Sequence, residues 1–138
     1  MTLDSSALIA ILFAEPGYLE LVDRILAAEH VRIGAPTLVE ASLVFAGRRR
    51  ARGVSEVAAL IEELDVTIVP FGEREWQAAI DGFLRFGRGH HQAALNFGDC
   101  LTYAAASAAN DSLLFVGSDF ALTDITPASA RPGGAAWT

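Results

Sequence analysis

Apolar positions along the chain change spacing several times, and each change marks an expected element. Residues 1–4 read as a short strand. Ser5 or Ser6 is then placed to cap a helix through Phe13, on which Leu8, Ile9 and Leu12 form one stripe. Pro16 and Gly17 end that helix. Leu19, Val22, Ile25 and Leu26 recur at helical spacing, which predicts a helix over 18–29 with these four inward and a strand near 31–35. Pro36 fits the first turn of a third helix carrying Leu38, Val39, Ser42, Leu43 and Phe45. An arginine-rich stretch at 47–53 leads into another helix, over 55–64. Alternation with β-branched residues over 66–71 predicts a strand, and 73–86 reads as an amphipathic helix. After a polar loop, Asn96 is placed to cap an alanine-rich helix over 97–109, with Asp99 third in a capping-box-like arrangement. Residues 112–116 read as a buried strand, and 127–138 as a short edge strand or a loose tail.

Strands alternating with helices predict a three-layer α/β/α sandwich around a mainly parallel sheet. With no repeat, low-complexity segment or linker, residues 1–138 are expected to form a single domain. The 52% apolar content supplies enough side chains to cover both faces of such a sheet. The longest wholly apolar run, from Ala7 to Ala14, is far too short for a membrane span, and an acid stands where a signal peptide needs basic residues. A cytoplasmic protein without membrane attachment is the expectation.

Charge narrows the chemistry further. The net charge of −7 and pI near 4.8 argue against broad electrostatic binding of nucleic acid, so any such contact must be local. All ten basic residues are arginines, which removes P-loop, Schiff-base and other lysine-dependent mechanisms. The single cysteine, Cys100, excludes an intrachain disulfide and a cysteine-based zinc cluster.

Four acids occupy one kind of place: Asp4 after the first strand, Glu40 early in the third helix, Asp99 at the start of the alanine-rich helix, and Asp119 after the last strand. Parallel sheets gather the C-terminal ends of distant strands at one crevice. Two carboxylates about 4 Å apart repel by roughly 4 kcal/mol at an effective dielectric near 20, so a converging set must protonate, spread or bind a cation. Oxygen ligands alone select Mg²⁺ or Mn²⁺, and Mg²⁺ commonly also contacts substrate phosphate. The blander reading makes each acid a helix cap or a solvated loop residue.

The stretches MTLDSSAL, LNFGDCLTYA and VGSDFALTDI, with Glu40 between them, resemble PIN-domain ribonucleases, particularly VapC-type toxins of bacterial toxin–antitoxin pairs. That resemblance implies an endoribonuclease dependent on Mg²⁺, with Mn²⁺ as the other candidate, neutralised by a cognate VapB-type antitoxin and forming homodimers. It implies metal ligation by Asp4, Asp99, Glu40 and Asp119, with Asp124 as the alternative fourth acid. Ser6 and Ser118 match hydroxyl positions beside those acids, and Arg88 is the expected substrate contact. Two other functions fit the residues: a catalytically silent PIN-like protein-binding module, or another acid-rich metal-dependent nuclease acting on DNA. Arg48, Arg49, Arg50 and Arg52 read either as a solvated helix end or as a phosphate-gripping patch. His90 and His91 read as loop residues, and Trp76, Phe83 and Phe86 as core or a partner groove.

Overall fold

The structure is a computed structural model that describes residues 1–49 and 52–128. Ten elements follow one another: β1 (Thr2–Leu3), α1 (Ser5–Leu12), α2 (Tyr18–Ala27), β2 (Arg32–Gly34), α3 (Ala35–Arg49), α4 (Arg52–Glu63), β3 (Thr67–Val69), α5 (Glu73–Phe86), α6 (Phe97–Ala108) and β4 (Leu113–Leu114). The strands form one parallel sheet in the order β3-β2-β1-β4. The chain adds β2 and then β3 on one side of β1 before crossing to place β4 on the other side. That reversal falls beside β1, and the C-terminal end of a strand at such a switch point is the place where open parallel sheets bind ligands.

Side-chain alternation in β4 sorts the core into two layers. Leu114 joins the cluster built on α1 to α4, which includes Leu8, Ile33 and Phe45. Leu113 faces the opposite cluster, with Tyr103, Phe115 and Phe120. Helices thus cover both faces of the sheet, as the α/β/α expectation requires. β3 is one of the two edge strands and leaves Ile68 half exposed.

Several local expectations shift. The cap of α1 is Asp4 itself and not Ser5 or Ser6. In α2, Leu21 and Ile25 are buried while Leu19 and Leu26 are 61% and 65% exposed, so the inward stripe is rotated from the expected one. α3 buries Thr37, Ala41 and Phe45 and leaves Val39 and Leu43 in solvent. The helix expected over 55–64 starts earlier, at Arg52. Past Ile125 the chain makes one isolated bridge, Pro127 to Leu113, and the rest of the expected tail, with Trp137, lies outside the described residues.

Candidate metal centre

Asp4 leaves β1 and immediately caps α1, so its carboxylate is fixed from both sides. Oδ2 accepts from the Ser6 backbone N–H at 3.2 Å and the Ser6 hydroxyl at 2.5 Å, and Oδ1 accepts from the Thr102 hydroxyl at 2.8 Å. The Thr102 proton is spent on Asp4, so the 3.1 Å contact between Thr102 and Thr37 must be donated by Thr37. Ser6 Oγ also accepts from Val116 N at 2.9 Å. Asp4 is only 6% exposed, and this network joins it to α1, α3, α6 and the segment after β4.

Glu40 reaches the same place from the second turn of α3. Its Oε1 accepts from the Ser5 hydroxyl at 2.5 Å, and its carboxylate lies against Gly98, where any Cβ would overlap it. Gly98 is therefore a glycine for reasons of space. It immediately precedes Asp99, so Glu40 is seated beside the first turn of α6.

Asp99 is held by the capping box foreseen in the sequence. Its N–H donates to Asn96 Oδ1 at 2.9 Å, and its Oδ2 accepts from Asn96 N at 3.1 Å. Burial pushes its carboxyl from 3.8 up to about 6; the Asn96 N–H opposes this, and the charges of Asp119, Asp4 and Glu40 reinforce it. Those three charges are the other three acids of the expected set. Asp119 enters from the 116–126 segment, next to Phe120, which is buried against Phe115 with ring centroids 5.3 Å apart.

The arrangement brings three like charges within range of Asp99, yet no three His, Cys, Asp or Glu side chains among the described residues form a ready-made cation cage. Local partners account for this: Ser5 draws Glu40, and the Asn96 cap draws Asp99 back along its own helix. The donor set nonetheless fits a hard divalent ion. It is all oxygen, it is partly desolvated, and it offers Asp99 only like-charged carboxylates as electrostatic neighbours at the crevice.

Other expected site residues fall into distinct positions. Ser6 bonds Asp4 directly, whereas Ser118 is exposed and makes no side-chain hydrogen bond among the described residues. Asp124 is turned away from the acids: Oδ1 accepts from Tyr103 Oη at 2.9 Å and Oδ2 from Arg85 at 3.1 Å. Burial first, and then the bond to Asp124, push the Tyr103 hydroxyl up to about 12, so it stays a donor. Arg88 is exposed on the rim of an apolar cleft of about 560 Å³, lined by Trp76, Ile80, Phe83 and Phe97 and reaching Asn96. The Arg48 guanidinium stacks 4.7 Å above the Phe13 ring and Arg49 lies at 5.8 Å, about 12 Å along α3 from Glu40. Arg50 and the side chain of Arg52 lie outside the described residues. His90 and His91 pack edge-on against Phe83 and Phe86, as loop residues do.

Sequence reasoning did not identify Thr37, Gly98 or Thr102, and took Ser5 only as a candidate helix cap. Thr102 had a usable signal, since it lies three residues after Asp99 and so shares a helix face with it. Thr37 had none, because its role depends on α3 meeting α6.

Known proteins share this architecture. A family model described as PIN domain matches residues 1–125. Ribonuclease VapC36 of Mycobacterium tuberculosis is 37% identical over 126 residues, covering 91% of each chain. A solved structure of VapBC2 from Rickettsia felis, bound to a DNA fragment from its promoter, superposes with a TM-score of 0.74 at 12% identity, over 91% of this chain and 94% of that one. The M. tuberculosis toxin VapC20, which cleaves the Sarcin-Ricin loop, superposes with a TM-score of 0.73 at 18% identity, over 95% and 98%.

Proposed function

The chain belongs to the PIN-domain family, among the VapC ribonucleases, and on that premise we propose that Asp4, Glu40, Asp99 and Asp119 hold Mg²⁺ or Mn²⁺ for endonucleolytic cleavage of RNA. The single observation that carries this reading is the convergence on the start of α6: Asp4 is bonded to Thr102, one turn beyond Asp99, and the Glu40 carboxylate lies against Gly98, the residue before it. A bound divalent cation supplies Lewis acidity at the scissile phosphate and makes a nearby water easier to deprotonate.

The chain's own residues do the rest by position. Asp4 is preorganised by Thr102 and Ser6, so it needs no rearrangement to present its oxygens. Asp99 takes its place at the first turn of α6, and Glu40, steered by Ser5 against Gly98, would hold the cation directly or through water, or help orient the nucleophile. Asp119 closes the set from the segment after β4. In-line attack of water leaves a 5′-phosphate and a 3′-hydroxyl, with no covalent enzyme intermediate and no part for the ribose 2′-hydroxyl as nucleophile.

Arg88, exposed on the rim of the cleft that reaches Asn96, grips the RNA backbone, because an acidic site repels RNA except where arginine offsets it. A cognate VapB-type antitoxin holds the enzyme inactive, and the exposed apolar residues of α5 and α6, with Phe97 81% exposed, support a protein partner close to the site. A homodimer is the working assembly. No helix among the described residues is long and apolar enough to cross a membrane.

The test is to map RNA ends after brief induction of the wild type and of Asp99→Asn. New 5′-phosphate ends that depend on Asp99 support the proposal. Identical end profiles in the two strains remove it.

A further inference from the structure

Resting on the metal-dependent cleavage proposed above, we infer that Asp124, Tyr103 and Arg85 are positioning residues that clamp the 116–126 segment and thereby hold Asp119 in register with Asp99. After β4 the chain runs without helix or strand until Pro127 bridges back to Leu113. Its own hydrogen bonds are turn-like: Ala121 N to Ser118 O and Thr123 N to Phe120 O, both at 3.1 Å. Bonds of that kind shape a loop but do not fix where it sits on the body of the protein.

Its seat on the body comes from other contacts: Val116 N donates to Ser6, Phe120 is buried just after Asp119, Asp124 is anchored through its side chain, and beyond it Ile125 is buried and Thr126 O accepts from Leu113 N. Asp124 carries the largest share of polar contacts, with one carboxylate oxygen on Tyr103 and the other on Arg85. Tyr103 is a rigid post: it is 1% exposed, its ring fills the space a Cβ at Gly82 would need, and it packs against Phe86. Arg85 is braced in turn by Asp81 at 3.3 Å and lies 4.8 Å over the Phe86 ring.

The connectivity gives the clamp its consequence. Tyr103 lies one helical turn beyond Asp99 on α6, so the tether links the helix of one acid to the segment of another. An exposed Arg–Asp pair alone would contribute little. The tyrosine hydroxyl adds to it, because it is partly desolvated and its bond to Asp124 is the one that ties α6 to this segment. Releasing Asp124 leaves the stretch between the buried Phe120 and Ile125 without its side-chain tether and so loosens the fourth corner of the cation site.

The experiment compares wild type with Asp124→Ala, Tyr103→Phe and Arg85→Met, the last at a half-exposed position that the fold tolerates. Mn²⁺ binding is measured by calorimetry, and hydrogen exchange of the metal-free proteins is followed at the Ala121, Thr123 and Ile125 amides. Loss of the clamp should weaken Mn²⁺ binding about tenfold, the usual effect of removing a residue that supports a ligand, and raise the metal concentration needed for cleavage in proportion. Exchange in the 117–126 segment should quicken while amides in the middle of α6 keep their protection. Mn²⁺ affinity and exchange both indistinguishable from wild type in the folded variants overturn the clamp. A wild type that binds no Mn²⁺ overturns the metal centre instead, and the exchange comparison still decides the clamp.

Discussion

Neutralising Asp99 while keeping its shape should stabilise the metal-free protein and abolish cleavage. The carboxyl rises from 3.8 to about 6, chiefly through burial, and at 1.36 kcal/mol per unit this is about 3 kcal/mol. Partial solvent access reduces the working figure to about 2 kcal/mol. The folded state holds this proton more tightly than the unfolded chain. The penalty is therefore absent below about pH 4, grows as pH rises toward 6, and is complete above it. Asparagine mimics the protonated acid and can still accept from Asn96 N. Asp99→Asn should therefore match wild type near pH 4 and exceed it by about 2 kcal/mol at pH 7.5. At roughly 2.1 cal/mol/K per residue over 138 residues, that raises Tm by about 7 °C. Thermal melts in EDTA at both pH values measure the difference, and RNA cleavage is assayed alongside. A variant no more stable than wild type at pH 7.5, or one equally stabilised at both pH values, refutes the raised Asp99 carboxyl.

Other changes probe separate parts of the site. Gly98→Ala places a Cβ in the space of the Glu40 carboxylate, so cleavage should fall by at least about tenfold with the fold retained by circular dichroism. Thr102→Val removes the donor to Asp4 and the acceptor of Thr37; chemical denaturation should report a loss of about 1–3 kcal/mol, with weaker cleavage. Arg48→Ala with Arg49→Ala strips the cations from the Phe13 ring, which should cost about 1 kcal/mol of stability. The same double variant should keep the salt dependence of RNA binding if the run is structural, and flatten it if the run grips phosphate.

The features legible in the sequence are those whose partners lie close along the chain. Asn96 and Asp99 form their capping box because a three-residue separation sets it up before any tertiary contact exists. The four acids were visible for a related reason, since each stands at a strand end or early in a helix and parallel topology sends such places to one edge. Facing was less legible. Leu19 and Leu26 have the spacing of an inward stripe, but α2 buries Leu21 and Ile25, because the side that is covered depends on where α1 lies. Asp124 illustrates the same limit: its spacing places it near Asp119, and only the packing of α5 on α6 delivers Tyr103 and Arg85 to take it. Gly98 reads in sequence as a residue poorly suited to a helix, and its reason lies in Glu40, far earlier in the chain.

The most direct measurement is Mn²⁺ binding to the wild type and to Asp4→Asn, Glu40→Gln, Asp99→Asn and Asp119→Asn, at a pH above 6.5 where Asp99 is ionised. If the four carboxylates share one centre, the wild type binds the ion and every single variant binds it more weakly, with loss of cleavage in step. Wild-type affinity in all four variants, or no binding to the wild type, would contradict a common cation site.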